Sequence, residues 1–207
     1  MAKLLYIESS PRKARSKSVE ASRAFLDSYR AANPTDEVAI IDLWGRQLPE
    51  FDGATIDAKY QVLHGQEFDT DQGRAWEAVV NVCDEFKSAD KYLFSVPMWN
   101  FGVPYRLKHY IDVIAQPGQT FSFDPATGYQ GLVTGKPAAV VYSRGGVYQG
   151  DASVMDHQQP YVEQILRFFG FTDIQSIVLE PTLATPDDVA ETVAASIERA
   201  RQIAAKF

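Results

Sequence analysis

Leu4-Leu5-Tyr6-Ile7, followed closely by Ser9-Ser10-Pro11-Arg12-Lys13-Ala14-Arg15-Ser16-Lys17-Ser18, is the stretch on which the fold turns. Four apolar residues in a row, with no polar alternation, mark a strand buried on both faces, which is the habit of parallel sheets. The loop that follows leads into Val19, Ser22, Leu26 and Tyr29, with Phe25 beside them, at helical spacing as far as Asn33-Pro34. Buried strand, polar loop and amphipathic helix together make the first half of a β-α-β crossover.

Working outward, the same alternation repeats. Val38 to Trp44 reads as a second strand, and the mixed, aperiodic residues from Leu48 to Gly73 read as a long loop. Trp76, Val79, Val80, Cys83 and Phe86 then form one apolar helical face. Tyr92 to Val96 is a third strand that breaks at Pro97, and Pro104 suits the first turn of a helix running to about Ala115. A fourth strand, Pro137 to Tyr142, ends in Ser143-Arg144-Gly145-Gly146. A helix from about Pro160 stops before Gly170, and Ile174 to Leu179 is a fifth strand. The final helix has Thr185 as N-cap, Pro186 at its first position, Asp187 and Asp188 in its first turn, and Arg199, Arg201 and Lys206 late, as a helix dipole favours. The pattern specifies an α/β fold: a doubly wound, five-stranded parallel sheet of order 2-1-3-4-5, helices on both faces, in a single domain spanning 1–207.

Bulk properties narrow the partners. A net charge of −7 on 207 residues disfavours nucleic acid and anionic lipid, so a small molecule is expected. No apolar run is long enough to span a bilayer, and Met1 to Ser10 lacks the zones of a secretion signal, which predicts a cytoplasmic protein without a membrane partner. Cys83, the single cysteine, fits a reducing compartment and sits on a packed helical face, as an inert thiol would. His64, His109 and His157 stand at no metal-ligand spacing, so no metal is expected.

In such sheets ligands bind beyond the carboxyl ends of the strands, near the switch between strands 1 and 3. Three loops therefore decide the function. After strand 1, Ser10, Ser16 and Ser18 offer hydroxyls at the start of a helix whose free N–H groups favour an anion, with Arg12, Lys13, Arg15 and Lys17 raising the local potential. The same residues also describe a serine-capped helix with a solvated basic turn. After strand 3, Pro97-Met98-Trp99-Asn100-Phe101-Gly102 brings aromatics, a thioether and an amide suited to a flat heteroaromatic ring, or to filling core under the next helix. Tyr105 to Lys108 reads as a solvated helix face. After strand 4, Ser143-Arg144-Gly145-Gly146 presents main-chain N–H groups for close approach, or simply a tight turn. The chain has no G-x-G-x-x-G after a strand, no P-loop and no nucleophile elbow, so dinucleotide-fold, triphosphate and esterase readings lose support.

Ser10 with Ser16-Lys17-Ser18, Pro97-Met98-Trp99-Asn100-Phe101, and Gly131-Leu132-Val133-Thr134-Gly135-Lys136 leading to Ser143-Arg144-Gly145-Gly146 resemble the FMN-dependent NADH-azoreductases, over nearly the whole chain. The resemblance implies a flavodoxin-like homodimer with FMN at the interface, passing hydride from NADH (or NADPH) through flavin N5 to azo compounds and quinones by alternate binding. By the same resemblance Ser10, Ser16, Lys17 and Ser18 hold the phosphate and ribityl end. Pro97, Met98, Trp99, Asn100 and Phe101 border the ring, and Ser143, Arg144, Gly145 and Gly146 its pyrimidine side. Phe101, Phe123, Phe168 and Tyr148 line the acceptor pocket, some from the partner subunit. No side chain is implied as a catalytic acid or base, Asn100 serving only in support. Trp99 stands where tyrosine is common, and Tyr148 where a histidine often follows the glycine pair. Two other readings fit the same residues: an electron-carrier flavoprotein without turnover of its own, and a flavin-free scaffold.

Overall fold

A computed structural model describes residues 1–66 and 70–207. Its elements are β1 (Lys3–Glu8), α1 (Lys17–Ala32), β2 (Glu37–Asp42), α2 (Gly53–Leu63), α3 (Thr70–Lys87), β3 (Lys91–Pro97), α4 (Tyr105–Ile114), β4 (Phe121–Asp124), β5 (Gly128–Gly131), β6 (Ala138–Ser143), α5 (Gln159–Phe169), β7 (Ile174–Leu179) and α6 (Pro186–Ala204). Five strands pair in parallel in the order β2-β1-β3-β6-β7, which is the expected 2-1-3-4-5 when only sheet strands are numbered.

Alternation along the strands splits the apolar residues into two cores. Leu5, Ile7, Phe94, Val140 and Tyr142 pack with Trp76, Cys83 and Phe86 of α3, Leu107 and Tyr110 of α4, and Leu166 and Phe169 of α5. Leu4, Tyr6, Leu93, Val141 and Leu179 pack with Phe25 and Tyr29 of α1 and Ala200 and Ile203 of α6. Fully burying one such side chain stabilises the fold by about 1.5–3 kcal/mol, which is why these short strands hold with few polar residues among them. Cys83 is among the fully buried residues, and burial pushes its thiol up to about 12.

Three expectations need correction. The stretch 48–73 is not a loop: α2 occupies Gly53–Leu63, capped by the Asp52 side chain accepting from Thr55 N at 3.1 Å, and α3 starts at Thr70. Its residues 67–69 lie outside the described residues. The hairpin β4–β5 was not legible, being two four-residue strands joined by residues 125–127, with Gly128 (φ 76°) opening β5 opposite Asp124. It rests on the end of α5, where a Cβ on Gly131 would lie 2.3 Å from Gly170 N, so only glycine permits the contact. Tyr105 to Lys108 is not a uniformly solvated face. Tyr105 and Lys108 are exposed, but Leu107 is buried, and Arg106 Nε donates to Leu43 O at 2.8 Å. Pro104 is the N-cap of α4 rather than a first-turn residue. Among the described residues no helix is long and apolar enough to cross a membrane, and none of their His, Cys, Asp or Glu side chains gather into a group able to hold a metal.

Candidate functional site

Parallel register sets the rim. Glu8 stands opposite Ser95 and Asp42, and Ser143 opposite both Pro97 and Leu179, so the chain leaves β1, β3, β6 and β7 side by side. Beyond these ends lies a cavity of about 260 Å³ whose lining includes Ser10, Ser16, Lys17, Met98, Trp99 and Gly145. Arg12, Pro97, Ser143, Thr182 and Leu183 complete it.

The β1 side is built for an anion. Ser16 is the N-cap of the 16-residue α1, so the helix N-terminus opens at the cavity. Ser16 Oγ and Ser18 Oγ are both buried and lie 3.1 Å apart, one donating to the other. Ser10 Oγ is buried with no hydrogen-bond partner among the described residues. Leaving such a hydroxyl unsatisfied costs about 1–3 kcal/mol, so its native partner is best supplied by a ligand or water in the cavity. The four cations are not equivalent. Lys13, in a left-handed conformation (φ 50°), turns back to bond Glu8 Oε1 at 2.9 Å and the Asp42 carboxylate. Burial opposes charge on Asp42, but the hydrogen bonds from Lys13 and from the Trp44 and Gly45 N–H groups prevail and hold its carboxyl below the usual range. Lys17 lines the cavity while pairing with Glu20 at 3.0 Å. Arg12 lines it with no ion pair among the described residues.

On the β3 side, Trp99 N donates to Gly102 O at 3.0 Å and Gly102 N returns a bond to Trp99 O at 2.9 Å. This closes a two-residue turn with Asn100 at φ 47° and Phe101 at φ 69°. Positive φ at a bulky residue is costly, of order 1–3 kcal/mol, and such strain gathers at binding sites. Here it turns Phe101 outward, 45% exposed, its ring 6.3 Å from Tyr148. Trp99 is backed by Trp44 at 5.7 Å between ring centroids, and Trp44 Nε1 donates to Ser9 O at 2.8 Å, tying the aromatic wall to the serine loop.

On the β6 side, Met98 N donates to Ser143 O at 2.8 Å, and Thr182 N to Arg144 O at 2.8 Å. The Arg144 guanidinium faces inward rather than toward the cavity. Only 3% exposed, it meets Asp156 at 2.9 Å, Glu180 at 3.3 Å, Gln158 at 3.0 Å and Gln159 at 2.9 Å. Glu180 also accepts from Tyr148 N at 3.1 Å.

Of the residues expected at the site, the cavity therefore gathers Ser10, Ser16, Lys17, Pro97, Met98, Trp99, Ser143 and Gly145. Ser18 reaches it through Ser16, and Asn100 lines a neighbouring cleft. Gly146 is exposed beside it, and Arg144 bears on it through its backbone. Phe123 and Phe168 belong instead to an aromatic group around Tyr129, with Phe121 4.6 Å from Phe168 and Phe123 4.9 Å from Tyr129; neither lines the cavity within one chain. Sequence reasoning missed Thr182 and Leu183, which follow β7 and were signalled by the strand-end rule itself, and Trp44, which signalled only as the last residue of a strand. The arrangement can hold a phosphate monoester at one end and a flat ring at the other.

Comparisons agree with the geometry. A family described as having the flavodoxin-like fold matches residues 2–204. A protein of Desulfotalea psychrophila, named an FMN-dependent NADH:quinone oxidoreductase, is 50% identical over 184 residues, covering 88% of this chain and 87% of its own. The crystal structure of an azoreductase from Bacillus anthracis superposes with a TM-score of 0.93 at 33% identity, covering 100% of both chains. An FMN-dependent NADH-azoreductase from the same organism, solved in complex with FMN, gives 0.86 at 26% identity, over 99% of this chain and 100% of the other.

Proposed function

This chain belongs to the flavodoxin-like fold family, and from that premise we propose how it works: as an FMN-dependent oxidoreductase that uses NADH (or NADPH) to reduce quinones and azo compounds. The single observation that carries the reading is the cavity where the buried, unpartnered Ser10 hydroxyl and the α1 N-terminus meet the Met98–Trp99 wall. Those residues fit FMN. Ser10, Ser16 and Ser18 donate to the phosphate, with Arg12 and Lys17 supplying charge, and each hydrogen bond to an ionised group contributes about 1.5–3 kcal/mol. Met98 and Trp99 flank the ring, Asn100 offers its amide to the ring edge, and the main chain of Ser143 to Gly146 meets the polar, pyrimidine side.

When bound, FMN supplies the two-electron chemistry, taking hydride from the nicotinamide and passing it on to the acceptor. The chain's own part is to orient and to exclude water. Phe101 and Tyr148 wall the approach, one reactant occupies it at a time, and protons come from water. Reading the protein as a homodimer brings Phe123 and Phe168 of the partner subunit to that approach; the 59% exposure of Phe123 on the hairpin, beside the half-buried Phe168 of α5, supports it. The doubly wound arrangement as one domain over 1–207 is supported by the two cores on alternate strand residues. A cytoplasmic setting is supported by the single, buried cysteine.

The test is an assay of FMN-loaded protein with NADH or NADPH, against a benzoquinone and an azo dye side by side. Turnover of both acceptors is expected. Uptake of electrons one at a time, with no turnover of either acceptor, would instead identify an electron carrier.

A further inference from the structure

Trp44 follows β2 in a turn that is held from several sides. Leu43 N continues the pairing of β2 with β1 by donating to Glu8 O at 3.1 Å, and Trp44 N donates to Asp42 Oδ1 at 3.0 Å. From α4, Arg106 donates to Leu43 O at 2.8 Å and to Arg46 O. The indole, half-buried, does not itself line the cavity, but it bonds or packs against both sides that do. Resting on the function proposed above, we propose that Trp44 is a positioning residue: one side chain sets the phosphate end of the flavin site through Ser9 and the ring end through Trp99, and so fixes the two ends relative to each other.

At the phosphate end the contact bears on the peptide that leads into Ser10. Ser9 is fully buried, and its N–H and hydroxyl both donate to Ser95 O, at 3.2 and 2.5 Å, which leaves its carbonyl to accept from Trp44 Nε1 at 2.8 Å. The Ser9–Ser10 peptide is trans, so anchoring its C=O on the indole turns the Ser10 N–H the opposite way. The unpartnered Ser10 hydroxyl is carried on the same anchored backbone. At the ring end, Trp44 and Trp99 stand 5.7 Å apart at 45°, and Tyr105 closes the triangle, 5.3 Å from Trp44 at 81° and 6.3 Å from Trp99. Tilted and edge-on pairs fix the orientation of a ring as well as its distance. Filling core requires neither contact. Leu43 is the residue of this turn that enters the main core, and a phenylalanine at position 44 would occupy the indole's space without a donor for Ser9.

The experiment titrates flavin-stripped wild-type, Trp44→Phe and Trp44→Leu proteins with FMN and with riboflavin by flavin fluorescence, and records the visible circular dichroism of bound FMN. Trp44→Phe keeps a ring against Trp99 and loses the donor to Ser9. It is expected to bind FMN about fivefold more weakly and riboflavin within about twofold of the wild type. Trp44→Leu loses the ring as well, so riboflavin also weakens, by about fivefold, and the visible band of bound FMN shrinks as Trp99 is freed. The two flavins are compared within each protein, so a loss of stability common to both cancels. Equal losses for FMN and riboflavin in Trp44→Phe protein, or an unchanged FMN affinity, would overturn the inference, and that comparison decides alone if Trp44→Leu fails to fold. Wild-type uptake keeps the two readings apart: protein that binds FMN yet gives those results refutes the role of Trp44 alone, whereas wild-type protein that takes up neither flavin refutes the function and the inference with it.

Discussion

The loop after β1 and the loop after β6 meet the same cavity with opposite construction. After β1 the cavity is lined by serines, a helix N-terminus, Arg12 and Lys17, while Lys13, 41% exposed, ties the loop to Glu8 and Asp42 from outside. After β6 the contacts are backbone, and the charge that shapes them, Arg144 with Asp156 and Glu180, is sealed in the interior. In both, cations serve as scaffold for donors rather than as the sole grip on a ligand. They differ in what is lost on disruption: a sealed pair leaves uncompensated charge behind, whereas water replaces an exposed one.

That contrast can be broken most severely at Arg144. Arg144→Ala strands two nearly buried carboxylates and is expected to cost about 3–5 kcal/mol in urea unfolding, with part recovered when Asp156→Asn and Glu180→Gln are added. An effect under about 1 kcal/mol would place Arg144 with ordinary surface pairs. Next in size, Ser16→Ala with Ser18→Ala should weaken FMN binding by about 2–4 kcal/mol, allowing for water in the vacated places, and cost about 0.5–2 kcal/mol of stability through the lost Ser16 cap. Loss of stability without loss of affinity would move those serines from ligand to fold.

Lys13→Met probes the outer clamp and should cost no more than about 1 kcal/mol, given its exposure. The sign of its pH dependence follows from Asp42. Because the folded carboxyl is held below its ordinary value, the stabilisation is present above the unfolded pKa of about 4 and is lost as pH falls through the folded one. The wild-type advantage over Lys13→Met is therefore flat near neutrality and shrinks in acid, as measured by urea midpoints from pH 7 to pH 3. The smallest expected effect is at Cys83, whose buried thiol should escape alkylation at pH 8 unless the protein is unfolded.

What the sequence disclosed follows the same division between local and distant contacts. Leu4 to Ile7 and Tyr92 to Val96 announced themselves because each strand's burial is written in its own consecutive residues. Helix α2 stayed hidden because its buried residues, Thr55 and Ala58, are small, while Ile56, Tyr60 and Leu63 point outward and erase the apolar period. Asp52 as N-cap was the one local cue. The direction of Arg144 was beyond reach, since its partners lie 12 and 36 residues further along and only the fold brings them in. Likewise Lys13 reads as one more cation in a basic turn until β2 arrives beside β1 with Asp42 at its end. Phe123 and Phe168 were named by resemblance, and within one chain they face each other's neighbours rather than the cavity.

The most direct test of the account compares equilibrium binding of FMN and of riboflavin, which lacks only the phosphate. If the serine loop and the α1 N-terminus grip that group, FMN binds at least about a hundredfold more tightly, some 2.7 kcal/mol, and the gap closes towards parity in Ser16→Ala, Ser18→Ala protein. Equal affinity of the wild type for both flavins would contradict it.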